Sequence, residues 1–420
     1  MANNLLLDPV QVLKGPNTKV SLDAVLIING KISAFGERAR KLGKEKGIRS
    51  QSCQEQLLAP CLVDPHSFLE DPITSNIENL ERLKKKAADS GYGQISLLPR
   101  SSSYRDKPEL LGGFNDENSD VIIHLWAGFS KGGLGAELTS HRDLIRSGAV
   151  GLADDDALIP IPLLQKGIKL GEISDHPVLV APRDKLIQGK GLVRERVEAL
   201  RGGWPVDPVT SETVPLVQLL EINKQYPNIA MRLMNISTES GVAILRDSAI
   251  RPISSVNWWH LFKDSSNLTP EEIGWRVAPS IGNNLDREAL IEGIKDNQIT
   301  AIAVNSIALS PEQAQLPPDQ KEAGISGYEL VLPCLWQELV NKRGMDIERL
   351  WDALSFGPSR FLKKKEEVLS LNSNRWLLFD PSKRWKKNAL REQGLDMTVG
   401  NEPLENEEIQ GKVVSCGLKG

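Results

Sequence analysis

The sequence has few of the side chains that bind metals or form disulfides. Its 420 residues include only five histidines and four cysteines. The cysteines, Cys53, Cys61, Cys334 and Cys416, lack the spacing of a metal or redox motif, so we interpret them as reduced structural thiols. The chain also lacks a stretch of about 18 uninterrupted apolar residues and a signal-peptide pattern at its start. We therefore expect a cytoplasmic protein without a membrane partner.

The net charge is also small, and two common catalytic motifs are missing. The formal net charge is −4, with 40% hydrophobic and 25% charged residues, which is typical of a soluble globular protein and gives no reason to expect nucleic-acid binding. The sequence contains no HExxH pattern and no phosphate-binding P-loop. The glycines at 131–135 and 188–192 miss the spacing of a dinucleotide-binding motif, so we interpret both segments as ordinary loops.

The sequence does have a regular alternation of short apolar runs. Residues 5–36 alternate strand-like runs with turns, and Asn29-Gly30 has the residue types of a tight hairpin turn. From about residue 58, short apolar runs alternate with amphipathic segments such as 286–297, which is typical of repeated β-α units. We predict eight parallel strands, at 58–66, 93–99, 121–127, 148–154, 177–181, 229–235, 253–257 and 299–305.

This pattern predicts an α/β protein of two domains. Eight β-α units are the number that closes a (β/α)8 barrel. After about residue 370 the sequence returns to short strands and turns, which we expect to join the β-rich start. We therefore place a small β domain at 1–57 plus 366–420 and the barrel at 58–365.

The carboxyl ends of the predicted strands carry few metal ligands. Catalytic groups of (β/α)8 enzymes sit at these ends, and a hydrolytic zinc centre needs at least three converging ligands. His260, after the seventh strand, is expected on the same rim. The strand ends themselves are His66, Pro99, Asp154, Ala181, Asn235, Asn257 and Asn305.

The remaining histidines and the acidic triplet 154–156 do not supply the missing ligands. His124 lies inside a predicted strand, while His141 and His176 precede strands and are expected toward the opposite rim. Three adjacent carboxylates cannot all point to one divalent cation from an extended backbone. We expect one inward-facing carboxylate in the triplet and two solvated ones.

Several segments resemble the cyclic amidohydrolases, and most closely the dihydroorotases that carry an aspartate at the end of the fourth strand. DPHSFLEDP (64–72) resembles that family's DPHxHLRxP, SGAVGLADDD (147–156) resembles AGAVAFSDDG, and GISGYELVLPCL (324–335) resembles GIxGLETALPLL. Residues 231–246 and 286–310 are similar to two further segments, in the same order. The resemblance implies the (β/α)8 TIM-type barrel of the amidohydrolase superfamily with a small β-sandwich domain formed from both termini.

The resemblance also implies that most of the family's metal site is missing. In chain order, the family's site has the two histidines of the HxH pair, the strand-four aspartate, two further histidines and the strand-eight aspartate. The corresponding residues of this sequence are His66, Phe68, Asp154 (or Asp155, one register later), Ala181, Asn235 and Asn305. Phenylalanine and alanine cannot bind zinc, and asparagine binds it weakly and cannot act as a general base. We expect no metal cofactor and no catalytic residue; zinc becomes the expected cofactor only if the inactive interpretation is wrong.

The substrate pocket is altered too. The family's arginine and asparagine that hold the substrate carboxylate correspond to Glu70 and Arg100. We expect these two residues to pair and to close the former pocket. Trp258 and Trp259, after the seventh strand, either form a stacking platform for a ligand or fill the rim.

Three functions are compatible with this sequence. The first is an inactive dihydroorotase homologue of pyrimidine biosynthesis that acts as a structural or regulatory partner of aspartate transcarbamoylase, as some members of the family do. The second is a residual or altered cyclic amide hydrolase, dihydroorotase-like or allantoinase-like. The third is a small-molecule-binding module that uses the former active site. We also expect the chain to form a homo-oligomer.

Overall fold

The structure is a computed structural model that describes residues 4–75, 78–267, 275–386, 399–404 and 407–420. Its strands are β1 (Leu5–Val12), β2 (Ser21–Ile28), β3 (Lys31–Phe35), β4 (Ser50–Pro60), β5 (Leu62–Ser67), β6 (Tyr92–Leu97), β7 (Ile122–Gly128), β8 (Gly151–Ala153), β9 (Val178–Val180), β10 (Val193–Arg194), β11 (Val206–Asp207), β12 (Met231–Leu233), β13 (Ile253–Asn257), β14 (Ala301–Ala303), β15 (Trp376–Lys386) and β16 (Glu408–Cys416).

The α-helices lie mostly between the barrel strands. They are α1 (Gly36–Glu45), α2 (Leu80–Asp89), α3 (His141–Arg146), α4 (Ile161–Leu170), α5 (Lys185–Gln188), α6 (Val197–Gly202), α7 (Thr210–Gln225), α8 (Glu239–Asp247), α9 (Trp258–Phe262), α10 (Asn284–Lys295), α11 (Pro311–Ala314), α12 (Tyr328–Leu335), α13 (Ile347–Trp351) and α14 (Gly357–Phe361). Helices α12 and α13 continue as π-helical turns at Trp336–Asn341 and Asp352–Phe356. No helix in the described ranges is both long and apolar enough to cross a membrane.

Eight parallel strands form the predicted (β/α)8 barrel, in the order β5-β6-β7-β8-β9-β12-β13-β14. The seam between β14 and β5 is closed by main-chain hydrogen bonds, from Asn305 N to the carbonyl oxygen of His66 at 3.1 Å and from Phe68 N to that of Ser306 at 2.9 Å. Each of the eight predicted strands has a counterpart in this barrel. The (β/α)8 prediction is therefore confirmed.

The first predicted strand, 58–66, is two strands in the structure. Its beginning belongs to β4, whose residue Leu58 pairs with Leu378 of β15, and its end belongs to β5 of the barrel. The apolar run continues from one sheet into the other, and Cys61, between the two strands, is buried as well. The chain thus passes from the small sheet into the barrel without a loop.

The small sheet combines both ends of the chain, as predicted, in the order β16-β15-β4-β1-β2-β3. The strands expected to form a small sandwich make this single six-stranded sheet in the described part of the chain. Asn29 (φ 52°) and Gly30 (φ 75°) form the predicted turn between β2 and β3. Both residues adopt the left-handed conformation that a two-residue hairpin turn of this kind requires.

Side chains alternate between the inside and the outside of the barrel. On β12 and β13, Leu233 and Val256 pack in the outer core between sheet and helices. The neighbouring Met234 belongs instead to an inner apolar cluster. This cluster comprises Val63, Phe68, Leu98, Trp126, Val150, Ala153, Leu179, Ala181, Met234, Ala301, Phe361 and Leu362. The barrel interior therefore contains an apolar cluster next to its carboxyl rim.

Two histidines outside the rim site have structural contacts. His124 lies in β7, as predicted, with Nε2 2.8 Å from Oε1 of Gln94. The prediction that His141 lies toward the opposite rim was wrong: it begins α3, and its Nε2 is 2.9 Å from the carbonyl oxygen of Phe129, just past the carboxyl end of β7. A helix that follows a barrel strand begins at the strand's carboxyl end, so its first residue lies near that rim.

Candidate functional site

His66 lies at the centre of the carboxyl rim, fully buried and with both ring nitrogens occupied. Nδ1 is 3.1 Å from Oδ1 of Asn305, and Nε2 is 2.8 Å from Oγ of Ser255. Because a carboxamide oxygen only accepts, Nδ1 carries the proton and Nε2 accepts from the serine hydroxyl. Burial lowers the pKa of His66 to about 4, so the ring is neutral at physiological pH.

The hydrogen bonds of His66 continue onto a neighbouring strand end. The backbone N–H of Asn235, which follows β12, donates to Oγ of Ser255 at 3.1 Å. The Ser255 hydroxyl of β13 therefore joins Asn235 to His66 of β5. Asn235 (φ 58°) and Asn305 (φ 46°) both adopt the left-handed conformation, which asparagine tolerates better than most residues. The two asparagines thus suit the backbone of this rim.

Phe68 occupies the position where the family's second HxH histidine would be, and its ring is covered by Arg100. The ring is buried, and the guanidinium carbon of Arg100 lies 4.3 Å from its centroid, in cation–π geometry. Arg100 also forms an ion pair of 3.0 Å with Glu322. Phe68 is therefore enclosed between the inner apolar cluster and the guanidinium group of Arg100.

The predicted Glu70–Arg100 ion pair is not formed. Among the described residues the guanidinium of Arg100 pairs with Glu322, which the sequence analysis did not single out. Glu70 lines a small space of about 30 Å³ together with Phe68, Arg100 and Ile307. This space has room for about one water molecule.

Ala181 directly follows β9 and lies in the same inner cluster as Phe68. It faces the barrel interior where the family's strand-five histidine would be, and its methyl group offers no ligand atom. The site is consequently apolar on one side, around Phe68 and Ala181. It is polar but neutral on the other, around His66, Asn235 and Asn305.

The acidic triplet is more tightly bonded than predicted. Asp154 is buried, and Ser130 donates to both of its carboxylate oxygens, from N at 2.9 Å and from Oγ at 2.5 Å. Burial raises the pKa of Asp154 to about 6, although the Ser130 hydrogen bonds act in the opposite direction. Asp154 is therefore the inward-facing carboxylate, and Ser130 occupies both of its oxygens.

The other two carboxylates of the triplet are not simply solvated, which corrects the prediction. Asp155 accepts a hydrogen bond from Arg100 N at 2.8 Å, and burial raises its pKa to about 6. Asp156 pairs with Arg183 at 2.7 Å and Lys185 at 3.0 Å. Burial opposes ionisation of Asp156, but these two cations hold its pKa well below the usual value. The three adjacent residues thus have three separate sets of partners.

Trp258 and Trp259 fill the rim. Each is only 1% exposed, and their rings pack edge to face with centroids 6.3 Å apart. A stacking platform for a ligand needs an accessible ring face, so burial favours the filling interpretation. His260 follows them in α9 and is buried as well; burial and, second, the charge of Arg194 lower its pKa to about 3.

Arg194 is a rim residue that the sequence analysis missed. It is buried, and its guanidinium donates to Ser237 Oγ at 2.8 Å and to Asp207 Oδ1 at 3.3 Å. Its second carboxylate neighbour is Glu212, at 3.7 Å. An isolated arginine in a loop sequence gives no sign that it will be buried, because the partners come from distant segments. Ser255, in contrast, was detectable: it alternates with Asn257 on the inner face of β13.

These side chains do not fit the zinc centre that the family resemblance implies. His66 uses the Nε2 lone pair for Ser255, and both oxygens of Asp154 are bonded to Ser130. The other positions carry side chains that bind zinc weakly or not at all. Within the described ranges, no three His, Cys, Asp or Glu side chains are grouped as metal ligands. We therefore derive no reaction step through a metal.

Sequence comparisons place the chain among dihydroorotase-like proteins. It is 32% identical to a probable dihydroorotase-like protein of Synechocystis sp., over 97% of each chain. It is 24% identical to the dihydroorotase of Listeria innocua and 25% identical to that of Halalkalibacterium halodurans, in each case over 81% of this chain and 80% of the relative. No family model matches the chain.

Solved structures share the fold at low sequence identity. L-hydantoinase from Arthrobacter aurescens has a TM-score of 0.74 and 16% identity, over 99% of this chain and 95% of that chain. A D-hydantoinase from Thermus sp. has a TM-score of 0.72 and 14% identity, over 97% and 92%. These structures show that the barrel with its terminal sheet is a shared fold, and the 32% identical relative shows the family, which belongs to the cyclic amidohydrolase superfamily. Within that superfamily, the chain belongs to the dihydroorotase-like proteins.

Proposed function

We propose that this protein is a dihydroorotase homologue that does not hydrolyse cyclic amides and acts as a structural or regulatory partner of aspartate transcarbamoylase. One observation carries the loss of activity: the His66 ring is neutral and bonded on both nitrogens to uncharged groups, Asn305 and Ser255. In this arrangement it has neither a free lone pair for a metal nor an anionic partner. The strand-eight position offers a carboxamide instead of a base.

The chemistry of hydrolysis supports the same proposal. Attack of water on a cyclic amide requires a base for the water and an electrophile or donor set for the developing oxyanion. Asn305 cannot take a proton near neutral pH, and Asp154 has both oxygens engaged by Ser130. The enclosed Phe68 also occupies the position of a ligand. Neither requirement is met by the side chains at this rim.

A partner role is favoured over a ligand-binding role by the closure of the rim. The free space beside Phe68 and Arg100 is about 30 Å³, whereas pockets for small organic ligands are about 300–1,000 Å³. The choice of aspartate transcarbamoylase rests on the family resemblance, because some dihydroorotase homologues assemble with that enzyme. A protein that keeps the barrel while its site is closed suits such a role.

Metal analysis and a turnover assay on the purified chain test the proposal. We expect far less than one zinc per chain and no turnover of dihydroorotate, with the Listeria innocua dihydroorotase as the active control. Co-elution with the aspartate transcarbamoylase of the same genome tests the partner. About one zinc per chain together with turnover refutes the loss of activity; separate elution refutes the partnership.

A second candidate, a small-ligand-binding module, is favoured by unpaired polar atoms at the rim. Oδ1 of Asn235 and both polar atoms of the Asn257 carboxamide are buried without a hydrogen-bond partner in the described part of the chain. Buried waters or a small polar molecule would satisfy them. Thermal shift assays with dihydroorotate, hydantoin and allantoin separate the two candidates. A saturable rise in Tm that is lost in Asn257→Ala supports the module.

A further inference from the structure

A cleft of about 500 Å³ lies between the barrel and the small sheet. On the barrel side it is lined by residues of α12 and of the end of α2, and on the other side by residues of β15 and β16. Pockets for small organic ligands have volumes of about 300–1,000 Å³ and occur preferentially where two domains meet. The cleft therefore has the size and the position of a ligand-binding site.

The cleft is separate from the carboxyl rim that contains His66. Two of its lining residues, Asp89 and Ser90, end α2 just before β6 begins at Tyr92. A helix that leads into a barrel strand ends near the amino end of that strand, so this part of the cleft lies toward the opposite rim. Binding of a ligand here is thus independent of the function proposed above.

Most polar side chains of the lining already have partners. Four of them contact a carbonyl or carboxylate oxygen, and these are Ser90, Tyr328, Trp385 and Cys416, at 2.8, 2.7, 2.7 and 3.1 Å. Glu329 has an interaction partner as well. In the described part of the chain, the polar lining side chains without a hydrogen bond or an ion pair are Asp89, Lys412 and Ser415. Two opposite charges and one hydroxyl are therefore available to a ligand.

Lys412 is held at the wall of the cleft by Trp385. Its ammonium nitrogen lies 5.3 Å from the centroid of the indole ring, in cation–π geometry. The indole is itself fixed, because its Nε1 donates to the carbonyl oxygen of Gly411 at 2.7 Å. An ammonium group has three N–H donors, so Lys412 can still donate to an anion. The lysine thus offers a positioned positive charge.

Asp89 supplies the opposite charge close to Lys412. Burial raises the pKa of Asp89, whereas the charges of Lys85 and Lys412 oppose this shift. The three residues act on one another electrostatically, yet no ion pair forms between them. Of the two lysines, Lys412 lines the cleft and Lys85 does not. Two opposite charges that are close but unpaired can each bind the opposite charge of a single ligand.

We propose that the cleft binds a free α-amino acid with an apolar side chain. The ammonium group of the ligand pairs with Asp89, and its carboxylate pairs with Lys412 and the Ser415 hydroxyl. The side chain of the ligand packs on the apolar lining, which includes Leu332 and Val413. An α-amino acid carries its two charges close together, as the neighbouring charges of the cleft require. A ligand with one charge leaves the other charged group of the cleft without a partner.

Isothermal titration calorimetry with four small molecules tests the proposal. Leucine and phenylalanine have both charges, N-acetyl-leucine lacks the ammonium group, and leucinamide lacks the carboxylate. Asp89→Asn and Lys412→Met each remove one charge from the cleft while keeping the size of the side chain. The matched control is Lys85→Met, because the charge of Lys85 also acts on Asp89 from outside the lining. Thermal melting establishes that each variant folds.

We expect leucine or phenylalanine to bind the unchanged chain and the Lys85→Met control with nearly equal affinity. Removing one charge, from the ligand or from the cleft, should weaken binding at least about tenfold. The proposal is overturned if neither amino acid binds the unchanged chain, or if N-acetyl-leucine or leucinamide binds as tightly as leucine. Binding that Asp89→Asn and Lys412→Met leave unchanged places the site elsewhere and also overturns it. An equal loss in all three variants shows a general charge effect, with the same consequence.

Discussion

The hydroxyl of Ser255 lies 2.8 Å from Nε2 of His66 and holds the one surviving histidine of the HxH motif in a neutral, fully bonded state. The serine is supplied by β13, which is far from β5 in sequence but is separated from it in the closed barrel only by β14. It also accepts the N–H of Asn235. One hydroxyl therefore occupies the histidine nitrogen that could otherwise bind a metal.

Replacing Ser255 with alanine should destabilise the barrel. The change leaves Nε2 of His66 and the N–H of Asn235 without partners in a buried site. Such losses cost about 1–3 kcal/mol in the free energy of unfolding. Urea denaturation measures the difference. Ser254→Ala is the matched control, because the Ser254 hydroxyl has one weak contact, 3.5 Å from the carbonyl oxygen of Gln298. Equal losses in both variants contradict the assignment.

Zinc binding should return only when several positions are restored together. Phe68→His alone leaves too few ligands, so we expect its zinc content to equal that of the unchanged chain. Combining it with Ala181→His, Asn235→His and Asn305→Asp should give about one zinc per chain or more by mass spectrometry. Histidine is among the residues that tolerate the left-handed backbone of Asn235. A zinc-free combined variant that still folds contradicts this prediction.

Removing the charge of Arg194 should be severely destabilising. Arg194→Met leaves Asp207 and Glu212, both nearly inaccessible, without their cation. Breaking a buried ion pair from one side costs about 3–5 kcal/mol. Arg201→Met, at an exposed arginine on α6, should change the unfolding free energy by less than about 0.5 kcal/mol. If the two variants unfold at the same denaturant concentration, the result contradicts a stabilising role of the buried network.

Protonation of the buried His124 should cost stability as the pH falls. Burial, aided by the charges of Lys364 and Arg375, lowers the pKa of His124 from 6.5 to about 4. Its contribution to stability is complete above pH 6.5 and is lost as the pH falls toward 4, by about 2 kcal/mol at pH 5. His124→Gln keeps a donor for Gln94 and should lose correspondingly less stability between pH 6.5 and 5.

The carboxyl groups of Asp154 and Asp155 have the opposite effect on the pH dependence of stability, over the same pH range. Burial raises the pKa of each to about 6, so their contribution is present at low pH and is lost as the pH rises through 6. The unchanged chain should therefore have a shallow pH profile. For this reason the histidine effect is best measured as the difference between His124→Gln and the unchanged chain at each pH.

The fold could be predicted from the sequence because its strands and turns have local sequence patterns. The period of the apolar runs predicted all eight barrel strands, and Asn29-Gly30 predicted a hairpin turn. The same pattern merged two strands at 58–66, because an apolar run looks the same whether it feeds one sheet or two.

The site was only partly predictable. The substitutions at Phe68, Ala181, Asn235 and Asn305 were visible from the sequence, and the structure brings these positions to one rim. The partner of Arg100 was not, because Glu322 lies more than two hundred residues away in a loop. A pairing across such a separation depends on how two loops meet, which no periodicity encodes. The choice of Glu70 as that partner followed from the exchanged charges at the family's two substrate-binding positions and was wrong.

At the seam of the barrel, Asn305 N donates to the carbonyl oxygen of His66, a hydrogen bond between main-chain atoms. Any amino acid except proline at position 305 can donate the same hydrogen bond, whatever its side chain. A change of side chain at this position therefore leaves that part of the seam closed. In this architecture the residues of the carboxyl rim can be exchanged without removing the main-chain bonds that hold the barrel together.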